Sequence, residues 1–169
     1  RVAAMAGCLL PVEPRKRGMF VIQAPLDNAD FPFVFDVSGV AIRPEGDRFI
    51  CGAQPDEARD SDPGDDFEPD HYLFEEKVWP ALAHRIPVLE RLRLLGAWAG
   101  HYEMNLFDHN GVVGAHPDIR NFVIANGFSG HGVMHSPATG RGVAELIHHG
   151  RYVSLDLSPA KVYGVATFY

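Results

Sequence analysis

The chain is 169 residues long, 46% hydrophobic and 22% charged, with a formal net charge of −7. This composition fits a globular piece, and no apolar run approaches the roughly 20 residues that a membrane-spanning helix requires. The negative balance speaks against a nucleic-acid surface, because the basic cluster Arg15, Lys16 and Arg17 is too short to reverse it.

In chain order, the apolar opening VAAMAGCLL flows directly into PVEPRKR without the cleavage context of a signal peptide. Met19 to Ala24, Phe33 to Val37, Val40 to Arg43 and Arg48 to Cys51 read as strands separated by Pro, Asn, Asp and Gly, an antiparallel meander. Cys8 and Cys51 lack metal-type spacing and do not form a secreted disulfide framework, which fits a reducing compartment and buried thiols. Pro55 to Asp70 carries eight acidic residues and one basic, with Pro63, Gly64 and Pro69 interspersed. It reads as an exposed, mobile connection, and DSDPGDDFEPD lacks the residue order of a calcium-binding EF-hand loop. Asp70 is placed to cap a helix from His71 toward His84 that buries Tyr72, Leu73, Val78, Trp79 and Leu82, with Pro80 forcing a kink or restart. After Pro87, Leu94 to Met104 reads as a long strand. Its alternation sets Tyr102 and Met104 on one face and His101, Glu103 and Asn105 on the other.

VIANGFSGHGVMHSPATGRGVAELI (residues 123–147) is the most informative stretch. Phe122 to Ala125 form a short buried strand, Gly127, Gly130 and Gly132 let the backbone approach a ligand closely, and Val133 to Ile147 carry helical spacing. The prediction is a strand-to-helix turn over Ser129 to Met134 whose amides, with the positive end of the helix dipole, face an open or ligand-filled edge. The glycine order is the reverse of the GxGxxG that opens a dinucleotide-binding unit, and GxxxxGK[ST] is absent from the sequence. His131 and His135 have the i, i+4 spacing of a zinc pair, but HExxH and a third ligand cluster are lacking, so no metal site is predicted. GFSGHG is not the GxSxG elbow, and Ser129 is not read as a nucleophile. His148 and His149 suit a helix C-terminus just before Gly150.

GFSGHG with its small-residue helix, preceded by FDHNGVVG (Phe107 to Gly114) and RPEGDRFICG (Arg43 to Gly52), resembles the D-amino-acid oxidase and sarcosine oxidase superfamily of FAD-dependent amine oxidoreductases. LPVEPRKR (Leu10 to Arg17), KVWP (Lys77 to Pro80), AWAGHYEMN (Ala97 to Asn105) and DLSP (Asp156 to Pro159) are most similar to its mitochondrial branch associated with assembly of respiratory complex I. The resemblance implies an α+β flavoprotein fragment. Residues 1–95 would supply substrate-domain strands, acidic loop and packing helix, and 96–169 the closing part of the FAD-binding domain. The superfamily's opening GxGxxG unit is not in this sequence, and the first residue is Arg1, so the chain is expected to be part of a longer protein.

The same resemblance implies noncovalent FAD, because the tethering cysteine of sarcosine oxidases would fall near Ala99 to His101, where none stands. Ser129, Gly130, His131, Gly132, Val133 and Met134 would border the flavin, with the Ser129 hydroxyl among the contacts, and His101, Tyr102 and Glu103 are the catalytic candidates. Where the sarcosine oxidase type has a basic residue for the substrate carboxylate, this chain has Met134. Where those oxidases use a lysine for reaction with oxygen, it has an apolar position, Ile50. Implied partners are a small amine or amino-acid substrate or, alternatively, complex I subunits and assembly factors held by a noncatalytic scaffold. The implied location is mitochondrial, on the matrix side or at the inner membrane.

Overall fold

The structure is a computed structural model and describes residues 2–155, so the DLSP segment lies outside the described residues. The elements in chain order are α1 (Val2–Met5), β1 (Val12–Gln23), β2 (Val34–Phe35), β3 (Val40–Glu45), β4 (Arg48–Ala53), α2 (His71–Leu73), α3 (Trp79–Arg85), β5 (Arg93–Asn105), β6 (Val112–Ala115), β7 (Val123–Asn126) and α4 (Gly132–His149). The fold is α+β with antiparallel pairing, as the sequence predicts. The chain divides into two compact units, Arg15–His101 and residues 2–14 with 102–155.

In the unit Arg15–His101 the sheet order is β2-β3-β4-β1-β5. β3 and β4 form a hairpin registered from Val40↔Ala53 to Glu45↔Arg48, and β1 pairs with β4 through Phe20↔Cys51 and Ile22↔Phe49. Alternation places Phe20, Ile22, Val40, Ile42, Phe49 and Cys51 inward against Leu73, Phe74, Val78, Leu82 and Leu89. β1 starts at Val12, well before the expected Met19. The charges that disguise this strand are neutralised locally: Arg17 donates two hydrogen bonds to Asp60 at 2.6 and 2.7 Å, and Lys16 reaches Asp66 at 2.7 Å and Asp70 at 2.9 Å.

Those pairs change the reading of the acidic segment. It is fastened to β1 by Lys16 and Arg17, and to β5 by His101, whose Nε2 lies 2.6 Å from the Asp66 carbonyl oxygen. The Phe67 ring stacks on His101 at 4.0 Å. Asp70 marks the helix start, but its carboxylate is taken by Lys16 rather than capping the helix.

The helix restarts at Trp79 with Pro80 in its first turn, one of the two outcomes expected there, and a π turn over Phe74–Val78 precedes it, in which the Trp79 amide donates to the Phe74 carbonyl. Proline has no N–H for the residue four back, and the wider turn accommodates that loss. The extra residue also re-phases the helix, so Phe74 is buried whereas Trp79, expected inside, is 40% exposed.

In the other unit, β6 and β7 pair antiparallel from Val112↔Asn126 to Ala115↔Val123. A small core joins Cys8, Val112 and Ile124 with Leu10, Ile119 and Phe122. The helix α4 contains Pro137, and the hydroxyl of Ser136 donates to the Val133 carbonyl that the proline leaves unserved, at 2.8 Å. Although its sequence is amphipathic, α4 exposes Val133, Met134 and Ile147 and buries Glu145. That carboxylate accepts from Arg141 Nε at 2.7 Å, the Val153 and Ser154 amides and the Ser154 hydroxyl. The hydroxyl and backbone donors around it hold its carboxyl well below the usual range.

Candidate functional site

The end of β5, the end of β7 and the start of α4 meet at the glycine-rich turn. Ser129 stands at φ 52°, a left-handed backbone that an L-residue adopts only when its surroundings hold it there. Three bonds do so: its amide donates to the Glu103 carbonyl at 2.9 Å, its Oγ accepts the Asn105 amide at 2.9 Å, and its hydroxyl donates to the Gly127 carbonyl at 3.3 Å. The Ser129 side chain is buried, and its hydroxyl serves the turn.

Gly130 follows at φ 95°, where a Cβ would lie 3.4 Å from the Tyr102 ring. This conformation suits glycine, and the tyrosine lies flush against it. The His131 amide donates to the Phe128 carbonyl at 2.9 Å, and the first amide donating into α4 is that of His135, to the His131 carbonyl at 3.2 Å. The amides of Gly132, Val133 and Met134 lie ahead of it in the first helical turn, where intrahelical acceptors are lacking, and the His131 side chain provides no cap. Val133 and Met134 are 88% and 67% exposed. A helix N-terminus with a positive dipole end, uncapped and open, is chemically suited to the electron-rich edge of a flat ligand.

The expected alternation along β5 holds for Glu103, whose side chain turns toward the β7 end: Oε2 accepts from Asn126 Nδ2 and Oε1 from the Phe128 amide at 3.5 Å. Asn105, 1% exposed, knits the preceding loop together. Its Nδ2 donates to Asp108 at 3.0 Å and the Asn110 carbonyl at 2.6 Å, and its Oδ1 accepts the Phe107 amide at 3.0 Å. Gly111 packs below Phe128 so closely that a Cβ would fall 2.6 Å from the ring. His101 belongs to the other unit and is occupied by the acidic segment. Tyr102 is the candidate that sits directly on the turn. Asn105, a polar candidate of the sequence, thus shapes the loop, and Gly111 shapes the site although its motif does not announce it.

His131 and His135 stack at 5.9 Å, and among the described residues no group of three or more His, Cys, Asp or Glu is arranged to hold a metal ion. A cavity of about 280 Å³ in the unit Arg15–His101 is lined by Lys16, Arg59, Asp60, Asp66, Asp70 and Tyr72. Its charges are already engaged, with Lys16 and Arg17 on the aspartates and Arg59 on Glu76 at 3.0 Å and over the Tyr72 ring.

The FAD dependent oxidoreductase family, DAO, matches residues 1–146. The chain belongs to this family. It is 48% identical over 158 residues to FAD-dependent oxidoreductase domain-containing protein 1 of Xenopus laevis, covering 92% of this chain and 32% of that protein. It is 29% identical to the glycine oxidase of Geobacillus kaustophilus, with 94% and 40% of the two chains covered. Among solved structures, L-proline dehydrogenase from P. horikoshii superposes with a TM-score of 0.80 at 30% identity, covering 96% of this chain and 42% of that one. Glycine oxidase from Geobacillus kaustophilus also gives 0.80, at 25% identity and 100% and 43% coverage. The chain thus spans 32% of the length of the first of these relatives. FAD is the cofactor of the DAO family. The open first turn of α4 and the close Gly130 approach fit the edge of its ring system.

Proposed function

We propose that this chain is part of an FAD-dependent dehydrogenase of small amines or amino acids. The observation that carries the reading is the uncapped turn of Ser129 to Met134, with the Gly132, Val133 and Met134 amides at an open helix N-terminus. When bound, FAD supplies a two-electron acceptor for the hydrogen on the carbon beside the substrate nitrogen. The Gly132, Val133 and Met134 amides would hold an edge of the ring and would favour negative charge on it, a preorganised electrostatic effect. Tyr102, flush against Gly130, is the residue proposed to border the substrate. FAD would be held noncovalently, since the stretch Ala99 to His101, where the sarcosine oxidase type would place its tethering cysteine, has none.

Met134 at the mouth of the turn disfavours a simple amino-acid carboxylate, so amines with an apolar or masked acid group are the preferred class. The test is anaerobic: full-length protein is mixed with a panel of secondary amines and N-substituted amino acids while flavin absorbance is followed. Bleaching by members of the panel supports the reading, and an unbleached, chemically reducible flavin across the panel overturns it.

The second reading is a noncatalytic scaffold for assembly of respiratory complex I, in mitochondria. It draws support from the structural engagement of His101, Glu103 and Asn105, three of the four polar candidates on β5, and from the motif resemblance. Capture of complex I subunits by a flavin-free variant of the full-length protein, combined with mitochondrial fractionation, would favour it over the enzyme.

A further inference from the structure

We infer that Glu103 is a positioning residue that both moulds the amide-bearing turn and makes the flavin there a weaker oxidant. The inference rests on FAD occupying that turn, as proposed above. Three acceptors of this one residue serve the turn: the backbone carbonyl takes the Ser129 amide, Oε1 the Phe128 amide, and Oε2 the Asn126 side-chain amide. Both side-chain partners are donors, so the carboxylate is satisfied in its acceptor-only, charged form. Glycines permit the turn, but Glu103 selects its shape, because Asn126, Phe128 and Ser129 are all referred to a single point on β5.

The same carboxylate lies on the Asn126–Phe128 side of the turn that leads into the uncapped helix end. Helix-end amides and dipole stabilise an electron-rich ring, and a carboxylate nearby opposes them. Electron uptake then costs more than at a turn backed by a neutral residue. This is a setting role: Glu103 touches Asn126 and the backbone and is not assigned to the reacting atoms.

The experiment uses the full-length, FAD-loaded protein and the variant Glu103→Gln. Glutamine is isosteric and neutral, and its carbonyl oxygen can keep the Asn126 bond while giving up only the long 3.5 Å bond from Phe128. The expected result is unchanged FAD stoichiometry with a higher two-electron midpoint potential. A tenfold change in the reduced-to-oxidised ratio at fixed potential corresponds to about 30 mV for such a couple. A loaded Glu103→Gln protein with wild-type potential overturns the inference.

A second measurement is independent of the cofactor. In FAD-free protein, hydrogen exchange at Phe128 to Met134 should quicken in Glu103→Ala, with β3 and β4 unchanged. Unchanged exchange at the turn overturns the moulding role. A full-length protein that takes up no FAD overturns the flavin reading itself, and the tuning role falls with it, while the exchange result alone then judges the moulding role.

Discussion

Phe128 leaves no room for anything larger than hydrogen at Gly111, 2.6 Å from where a Cβ would stand, and a ring embedded under a turn has few ways to yield. Gly111→Ala should destabilise the protein by about 1 to 3 kcal/mol, the usual range for overpacking, measured by denaturant titration. A change within about 0.3 kcal/mol, below that range, would show that the Phe128 ring moves freely. Burial pushes the Cys51 thiol up to about 12 and raises that of Cys8 as well. Both should resist thiol reagents in the native protein at neutral pH and react fully on unfolding. Their raised values mean that any contribution to stability is complete below the ordinary thiol value of 9.0 and is lost as pH rises beyond it. Cysteine burial was legible from spacing alone. The role of Asn105 was not, because an asparagine after a strand looks the same whether it meets solvent or anchors a loop through its side chain.

Among the elements, β3, β4 and the second half of β1 were readable because Pro, Asn, Asp and Gly punctuate the apolar runs, whereas the charged first half of β1 was not. The exposure of the acidic segment was legible from its composition, whereas its fastening was not: its partners on β1 and β5 are far away in sequence, and composition is blind to them. Burial lowers Lys16, but the hydrogen bonds to Asp66 and Asp70 outweigh it and leave its value raised. The Lys16 hydrogen bond, with the Glu68 amide, lowers Asp66. The sign follows. The Asp66 contribution is present above the ordinary carboxylate value of 3.8 and fades as pH falls through its depressed one, whereas that of Lys16 is complete below 10.5 and is lost as pH rises through its raised value. Lys16→Met should therefore speed hydrogen exchange over residues 60–70 at neutral pH, and acidification of the wild type below 3.8, through the depressed Asp66 value, should mimic it. Equal protection of that segment in both proteins would remove Lys16 as its fastener.

At the scale of the molecule, family membership came from several motifs in order rather than from any one of them, and the superposition on proline dehydrogenase and glycine oxidase agrees with it. The glycine turn alone is ambiguous in sequence, because the same spacing serves a plain connection. Only the fold reveals uncapped amides beside an exposed edge. In the proposed reading the turn would contact one edge of a flavin, and the sequence lacks both phosphate-binding glycine motifs. Residues 1–169 expressed alone should therefore be colourless after dialysis, with no saturable change in flavin fluorescence at micromolar FAD, a level of about 8 kcal/mol of binding. A yellow preparation with one flavin per chain would require a second nucleotide site within these residues.

The π turn before Trp79 ties a length to a side chain. In an ordinary α-helix a deletion swings everything downstream by about 100° and pulls it back by about 1.5 Å. Here one residue could be lost from Phe74–Val78 with both flanks still facing their own partners, as the wide turn would close to a regular one. Pro80 would then stand inside a regular helix, its ring against a carbonyl it could no longer avoid. The surplus residue and the proline are thus a matched pair, and homologues that shorten this helix by one position should be those that have also replaced Pro80.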